Sequence, residues 1–175
     1  MVRLRELQID DLGYMYEIIN DQEVAKNFLF TRYPFSKEKL INFIKNSWED
    51  TNNIHYAIVD QNNEYIGTIS LKNINYLDKN AEYAIFVRRE YWGQKYAYEA
   101  TKTIIRYGFE TLNLNKIYLN VLASNIRANR FYEKFGFIKE AVFREHVYIQ
   151  GRYEDLNWFC LFKEDINDGL VKGFL

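Results

Sequence analysis

The segment from residue 81 to residue 112 constrains the fold of this 175-residue chain more than any other. Residues 81–87 have the pattern of a strand, and small and apolar residues recur at helical spacing from Ala97 onward. The loop between them reads Trp92-Gly93-Gln94-Lys95-Tyr96-Ala97. Gly93 permits a sharp turn, and the start of the helix offers N–H donors that have no partner within the helix. The pattern therefore predicts a strand–loop–helix unit whose loop binds an anion such as a pyrophosphate.

A second segment, residues 125–137, predicts another helix with a functional face. Its apolar positions recur at helical spacing, at Ala128, Phe131, Tyr132 and Phe135. Gly136 then supplies a C-terminal stop. Asn125 and Tyr132 lie roughly 10 Å apart along the helix axis, on nearly the same face. Such a face can hold an extended ligand at one end and reach a reacting group at the other.

The remaining sequence predicts an α+β fold with a mixed, mostly antiparallel sheet of about seven strands and about four flanking helices. Alternating residues at 54–59 and 65–71, joined by turn residues, predict a hairpin. Further strands are expected near residues 2–7, 117–122, 142–149 and 153–162, and further helices at 12–19 and 37–48. Because no linker or repeat interrupts the chain, residues 1–175 are expected to form a single domain.

Composition argues against several classes of protein. The formal net charge of −1 disfavours a surface that binds nucleic acid. Cys160 is the only cysteine, so no intrachain disulfide forms and a reducing compartment is expected. His55 and His146 are far apart and lack neighbouring ligands, so no metal site is expected. No apolar run reaches the roughly 18 residues of a membrane span, and we expect a cytoplasmic protein without a membrane partner.

Together, the two segments described first resemble the acetyl-coenzyme A half of the GNAT N-acetyltransferase family. Two further features resemble one branch of it, which contains ribosomal-protein alanine, spermidine and nucleotide-aminosugar N-acetyltransferases. They are the run Leu114-Asn115-Lys116-Ile117-Tyr118-Leu119 and the pattern Arg144-Glu145-x-x-Tyr148-x-x-Gly151-x-Tyr153-x-Asp155. The resemblance implies a GNAT-like domain that transfers acetyl from acetyl-CoA to a primary amine. Acetyl-CoA would be its co-substrate, and no metal would take part.

The resemblance also implies a cofactor site. The family pattern Gln/Arg-x-x-Gly-x-Gly/Ala reads Trp92-x-x-Lys95-x-Ala97 here. Lys95 is strained by roughly 1 kcal/mol if its position needs a positive φ. With helical backbone, its ammonium could instead reach a phosphate or face solvent. The residues expected to contact the cofactor are Ile85, Phe86, Val87, Trp92, Gly93, Gln94, Lys95, Tyr96, Ala97, Asn125 and Arg130. The alternative for Asn125 is a helix N-cap, and for Arg130 a solvated helix face.

Tyr132 and Glu82 are the candidate catalytic residues. In the family, the equivalent tyrosine donates a proton to the leaving thiolate, and a phenol with a pKa of about 10 suits that role. Glu82 lies on the central strand, where many relatives carry a glutamate that acts as a base or a substrate ligand. The alternatives are a core tyrosine and a solvated strand glutamate. The backbone N–H of Val87 is a candidate donor to the oxyanion of the tetrahedral intermediate.

The amine acceptor is expected to bind at residues 27–35, with Phe30, Arg32 and Tyr33 as substrate-binding residues. This loop has no carboxylate, which disfavours a polyamine, whereas aromatic rings beside one cation suit a ring and a phosphate. We therefore favour an aminosugar nucleotide over the N-terminus of a ribosomal protein. The alternative outside catalysis is a regulatory module that binds acyl-CoA. The apolar C-terminal tail, residues 169–175, is compatible with packing on its own domain or on the second subunit of a homodimer.

Overall fold

The computed structural model describes residues 2–29 and 35–167, and a seven-stranded sheet forms its centre. The strands are Arg3–Glu6 (β1), Ile54–Val59 (β2), Tyr65–Asn75 (β3), Asn80–Val87 (β4), Lys116–Leu122 (β5), Ile138–Ile149 (β6) and Arg152–Phe162 (β7). They lie in the order β1-β2-β3-β4-β5-β7-β6. β4 and β5 pair in parallel, and the other neighbours are antiparallel. The predicted α+β fold with a mixed, mostly antiparallel sheet is thus confirmed.

The described residues contain six α-helices, more than the sequence predicts. They are Leu12–Asn20 (α1), Gln22–Ala25 (α2), Lys37–Ser47 (α3), Tyr96–Arg106 (α4), Ile126–Phe135 (α5) and Lys163–Asn167 (α6). The two unexpected helices, α2 and α6, have only 4 and 5 residues, too few for a hydrophobic period to reveal them. None of the described helices is long and apolar enough to cross a membrane.

The helix predicted over residues 97–112 changes its hydrogen-bonding pattern before its end. α4 stops at Arg106, and a π-helical turn, Tyr107–Thr111, follows it. Gly108 lies in this turn, where an added Cβ would come within 2.9 Å of the Ile117 side chain. The missing Cβ therefore lets the turn pack directly against β5.

An apolar core lies on each face of the sheet. One core joins the sheet to α4 and α5 and includes Tyr83, Ile104, Ile105, Phe135 and Phe159. The other joins the opposite face to α1 and α3 and includes Met15, Ile18, Leu40, Ile44 and Ala57. Each of the larger aliphatic and aromatic side chains contributes about 1.5–3 kcal/mol on burial. The two cores hold the sheet between two helical layers, so side chains that alternate along a strand reach different layers.

The parallel pair β4 and β5 separates part-way along its length. Pairing runs from Asn80 with Lys116 to Glu82 with Tyr118 and ends there. Beyond this point β4 remains paired with β3, and β5 with β7. Residues 83–87 and 119–122 thus border an opening in the sheet, which we call the β4–β5 gap. The starts of α4 and α5 follow the carboxyl ends of these two strands, which form the mouth of the gap.

Candidate functional site

The inner edge of β4 offers backbone groups to the gap. The Arg88 N–H donates to the Ile66 carbonyl on β3, and hydrogen bonding alternates along an antiparallel pair. The N–H and C=O groups of Tyr83, Ile85 and Val87 therefore point toward the gap, where they can bond an extended amide-containing chain. Such a chain would run over about 13 Å from Val87 at the mouth to Tyr83 at the closed end.

Phe86 differs from its predicted companions on β4. Its backbone groups belong to the pairing with β3, and an added Cβ at Gly67 would overlap its carbonyl oxygen. Its ring faces the α1/α3 layer, where it meets Phe28 edge-on with ring centroids 5.7 Å apart. Any contact of Phe86 with a ligand would therefore come from its ring.

The loop at the mouth has the geometry of an anion site. Gly93 has a φ of +76°, which favours glycine, whereas Lys95 has a φ of −73° and a ψ of −7°. Lys95 is thus unstrained in place of the family glycine, and its exposed side chain points outward. The N–H groups of Lys95, Tyr96 and Ala97 have no acceptor in the described part of the chain. These donors at the start of α4 suit the predicted binding of a phosphate.

Trp92 closes the mouth from the side of β4. Its indole N–H donates to the Val87 carbonyl at 2.9 Å. The guanidinium carbon of Arg127, from the first turn of α5, lies 3.1 Å from the centre of its ring. Partial burial of the guanidinium lowers the pKa of Arg127, although the residue as a whole is exposed. Arg130 is exposed one turn further along α5, and its predicted cofactor contact stays a prediction.

Asparagines hold the start of α5 against the end of β5. The Asn125 side chain accepts the Ala128 N–H at 3.2 Å, so Asn125 is the N-cap that the sequence offered as one reading. The buried Asn129 amide donates to the Leu122 carbonyl at 2.9 Å, and its oxygen accepts from Asn157 at 2.7 Å. Sequence reasoning missed Asn129, although an asparagine four residues after a cap, on an apolar face, was a signal.

Tyr132 lies at the closed end of the gap, in the layer that contains α4 and α5. Its side chain is 7% exposed, and its ring meets Tyr83, Phe137 and Phe159 at centroid distances of 6.1, 5.8 and 6.1 Å. Its hydroxyl makes no hydrogen bond to any residue that the structure describes. Burial raises the pKa of Tyr132, so the phenol is protonated at neutral pH. The residue is therefore both a core tyrosine and a proton donor without a partner.

Glu82 lies at the same end of the gap but on the opposite face of the sheet, because it precedes Tyr83 on β4. The Lys72 ammonium donates to one of its oxygens at 2.9 Å, and the Asn73 amide to the other at 2.9 Å. Its neighbour across the strands is Tyr118, whose pKa is raised by burial and then by the charge of Glu82. The two candidate catalytic groups therefore approach the closed end of the gap from different sides.

The position of Val87 argues against its predicted role as an oxyanion donor. Val87 lies five residues from Glu82, which is about 16 Å along a strand. A thioester within reach of Glu82 and Tyr132 would be nearer to the N–H of Ile85. The N–H of Val87 instead lies beside the loop at the mouth.

Aromatic side chains flank Glu82 on its face of the sheet. Tyr118 and Trp158 stack with ring centroids 5.9 Å apart, and Phe143 lies 5.3 Å from Trp158. Sequence reasoning missed these rings, since they come from three different strands. The predicted substrate-binding residues Phe30, Arg32 and Tyr33 lie outside the described residues, as does the C-terminal tail.

The described side chains form no group of three or more metal ligands. The Nδ1 atom of His55 lies 2.8 Å from the Ser70 hydroxyl, and burial lowers the pKa of His55 to about 4. His146 is exposed on β6. The two histidines therefore serve separate parts of the sheet.

Comparison with known proteins establishes the family. Residues 2–138 match the family model described as an acetyltransferase (GNAT) domain. The chain belongs to the GNAT acetyltransferase family. It is 31% identical over 162 residues to a spermidine N(1)-acetyltransferase of Escherichia coli strain K12, over 93% of this chain and 86% of that protein. A putative ribosomal N-acetyltransferase of Bacillus subtilis is 26% identical over 170 residues, which cover 94% and 92% of the two chains.

The fold leads to the same family. A crystal structure of spermidine N-acetyltransferase from Vibrio cholerae in complex with CoA and spermine has a TM-score of 0.86 and 28% sequence identity. The match covers 93% of this chain and 96% of that one. This GNAT protein is an acetyl-CoA-dependent N-acetyltransferase that acts on amines, as the sequence predicts. The preference for an aminosugar nucleotide finds no support here, since the small-molecule amines named for these relatives are spermidine and spermine.

Proposed function

We propose that this acetyltransferase passes the acetyl group directly from acetyl-CoA to a primary amine of a small polyamine, within a ternary complex. The observation that carries the reaction is the arrangement at the closed end of the β4–β5 gap. Tyr132 approaches it from one face of the sheet and Glu82 from the other. A thioester in the gap would have a proton donor on one side and a proton acceptor on the other.

Each group has one task in this reaction. Glu82 accepts a proton from the substrate ammonium, directly or through one water, and the neutral nitrogen attacks the thioester carbonyl carbon. The C–N bond forms, the C–S bond breaks, and Tyr132 protonates the departing thiolate. The second nitrogen proton returns through solvent to Tyr132, and Glu82 releases its proton to solvent. Lys72 and Asn73 orient the Glu82 carboxylate.

Two observations favour a polyamine as the acceptor. Relatives that span most of the chain act on spermidine. In addition, the Glu82 face presents the stacked rings of Tyr118 and Trp158, and aromatic faces attract ammonium groups. The lack of a carboxylate in residues 27–35 disfavours a polyamine, but most of that loop lies outside the described residues. The two observations above replace that argument.

A panel of acceptors tests the proposal. Initial rates of CoA release would be measured with spermidine, spermine, a nucleotide aminosugar and a peptide with a free N-terminus. We expect the highest kcat/KM with a polyamine, and intersecting lines when acetyl-CoA and amine are varied together. A clear preference for the peptide would refute the polyamine assignment and favour the ribosomal relative as a guide. If the protein bound acetyl-CoA but released no CoA with any of these amines, a regulatory module would be favoured.

Cys160 supplies a control for direct transfer. Burial raises the pKa of its thiol, which makes it a poor nucleophile. Cys160→Ser should therefore retain the wild-type rate. Parallel lines in the two-substrate experiment, together with loss of activity in this variant, would indicate an acetylated cysteine and contradict direct transfer.

A further inference from the structure

Glu82 is held by two side chains from an irregular part of β3. Consecutive residues of a strand normally point to opposite faces of the sheet, yet Lys72 and Asn73 both donate to the Glu82 carboxylate, at 2.9 Å each. The register of β3 against β4 shifts between Lys72 and Asn75, and Asn73 has a φ of +50°. Such an irregularity redirects a side chain. The fold therefore brings a cation and an amide to the same carboxylate.

The ion pair places a positive charge where the acceptor amine would meet Glu82. The Lys72 and Glu82 side chains are only 33% and 18% exposed, so salt screens their charges less than it would at the surface. A carboxylate has about four lone-pair sites, and Lys72 and Asn73 occupy one each. A substrate ammonium can therefore reach Glu82 without displacing Lys72, but it binds beside a resident cation.

A second lysine pairs with a carboxylate on the same face of the sheet. Lys116 lies two residues before Tyr118 on β5 and therefore shares its face, and its ammonium donates to both oxygens of Glu140 at 2.8 Å. Burial, and then the charge of Glu82, raise the pKa of Tyr118, while the charge of Lys116 lowers it. Each of these two carboxylates is matched by one lysine, so an acceptor with several ammonium groups meets no excess negative charge at either pair.

We propose that Lys72 is a specificity-determining residue that disfavours acceptors with a second ammonium group close to the reacting nitrogen. The reacting nitrogen loses a proton to Glu82, whereas the second ammonium stays charged and is repelled by Lys72. This repulsion is strong at a few ångströms and weak beyond the Debye length of roughly 8–10 Å. Amines with a long spacer are therefore favoured, and spermidine, which has one aminobutyl end, is favoured over spermine, which has only aminopropyl ends. The proposal rests on the proposed function, in which Glu82 receives the amine.

Rates of CoA release with diaminopropane and diaminooctane test this assignment. We expect wild type to prefer the longer diamine. Lys72→Met should raise kcat/KM for diaminopropane relative to diaminooctane by roughly 5- to 50-fold, the effect of removing a charge about 7 Å from the second ammonium. Any change in Glu82 itself affects both diamines alike and cancels in this ratio. Lys116→Met removes an equal charge from the same face and should shift the ratio by less than about threefold, since Lys116 is paired with Glu140 and not with Glu82.

The salt dependence of the same ratio separates charge repulsion from a structural role of Lys72. Added potassium chloride should weaken the preference of wild type for the longer diamine and leave that of Lys72→Met nearly unchanged, because salt screens only the repulsion between charges. Equal ratios in wild type and Lys72→Met, or an equal shift in Lys116→Met, would overturn the proposal.

Failure of the proposed function gives a different result. In that case spermidine and the diamines would not be acetylated, whereas a peptide with a free N-terminus would be. The test of Lys72 then compares peptides with lysine or norleucine as their second residue. Wild type should prefer norleucine, and Lys72→Met should reduce that preference. An equal preference in both proteins, or no transfer to any of these amines, would overturn the role of Lys72.

Discussion

Replacing Tyr132 with phenylalanine should separate catalysis from stability in this protein. The change removes one oxygen and leaves the ring against Tyr83, Phe137 and Phe159. The lost hydroxyl has no hydrogen-bond partner in the described structure. The free energy of unfolding should therefore change by less than about 1 kcal/mol. Loss of a general acid should lower kcat by roughly 10²- to 10⁴-fold, or about 3–5 kcal/mol of transition-state stabilisation.

Tyr83 supplies a matched control for this experiment. Its hydroxyl lies 2.7 Å from the Thr101 hydroxyl, which itself donates to the Ala97 carbonyl at 2.6 Å. Tyr83→Phe therefore removes a buried hydrogen bond and should cost about 1 kcal/mol of stability. Because this hydroxyl is committed to Thr101, the rate of acetyl transfer should stay near that of wild type.

The two variants are compared in one thiol-release assay and one urea titration at neutral pH. The pKa of Tyr132 is raised by burial, so the wild-type phenol stays protonated over the assay range and its loss should be visible at every pH below 10, roughly its unperturbed pKa. A full rate in Tyr132→Phe would refute its role as the acid. Equal losses of rate in Tyr132→Phe and Tyr83→Phe would show that the loss comes from disturbed packing and not from the loss of a proton donor.

Three further perturbations follow from the geometry. Gly93→Ala should cost about 1–2 kcal/mol of stability and weaken coenzyme A binding, because its φ of +76° strains an alanine even though the new Cβ has free space. Lys95→Ala should leave the loop undistorted, since Lys95 has ordinary helical backbone. Equal melting temperatures for the two variants would contradict this difference. Glu82→Gln should lower kcat by roughly 10²-fold or more with an unchanged Kd for coenzyme A, and an unchanged kcat would exclude it as the base. Burial lowers the pKa of His55 from its ordinary value of 6.5 to about 4 in the folded protein. Between these two values the unfolded chain therefore binds more protons than the folded one. Stability should be full above about pH 6.5 and fall by up to about 3 kcal/mol toward pH 4; urea titrations of His55→Gln should lose this slope, while those of His146→Gln keep it.

Sequence patterns predicted the parts of the site that are formed by residues close together along the chain. The loop and the start of α4 follow from Gly93 and from the helical spacing after it, and Gly136 ends α5 with a φ of +119° as expected. The backbone conformation of Lys95 could not be predicted, because the motif alone does not state which position has a positive φ. In this chain that position is Gly93, which is why a lysine two residues later is tolerated.

The parts of the site that the sequence did not predict depend on how strands distant in sequence pair and diverge. The stacking of Arg127 on Trp92 joins the first turn of α5 to the loop before α4, and it depends on how β4 and β5 diverge. The rings of Tyr118 and Trp158 meet because β5 and β7 are adjacent, although they are distant in sequence. The oxyanion role of Val87 stays a prediction, and its distance of about 16 Å from Glu82 along β4 favours the N–H of Ile85 instead.

A structure of the protein with coenzyme A and spermidine would test the central claim most directly. The account predicts the pantetheine chain in the β4–β5 gap, with the sulfur within hydrogen-bond distance of the Tyr132 hydroxyl and the amine on the Glu82 face of the sheet. The diphosphate should lie at the loop that begins with Trp92. A pantetheine chain outside the gap, or an amine on the same face as Tyr132, would contradict transfer between the two faces.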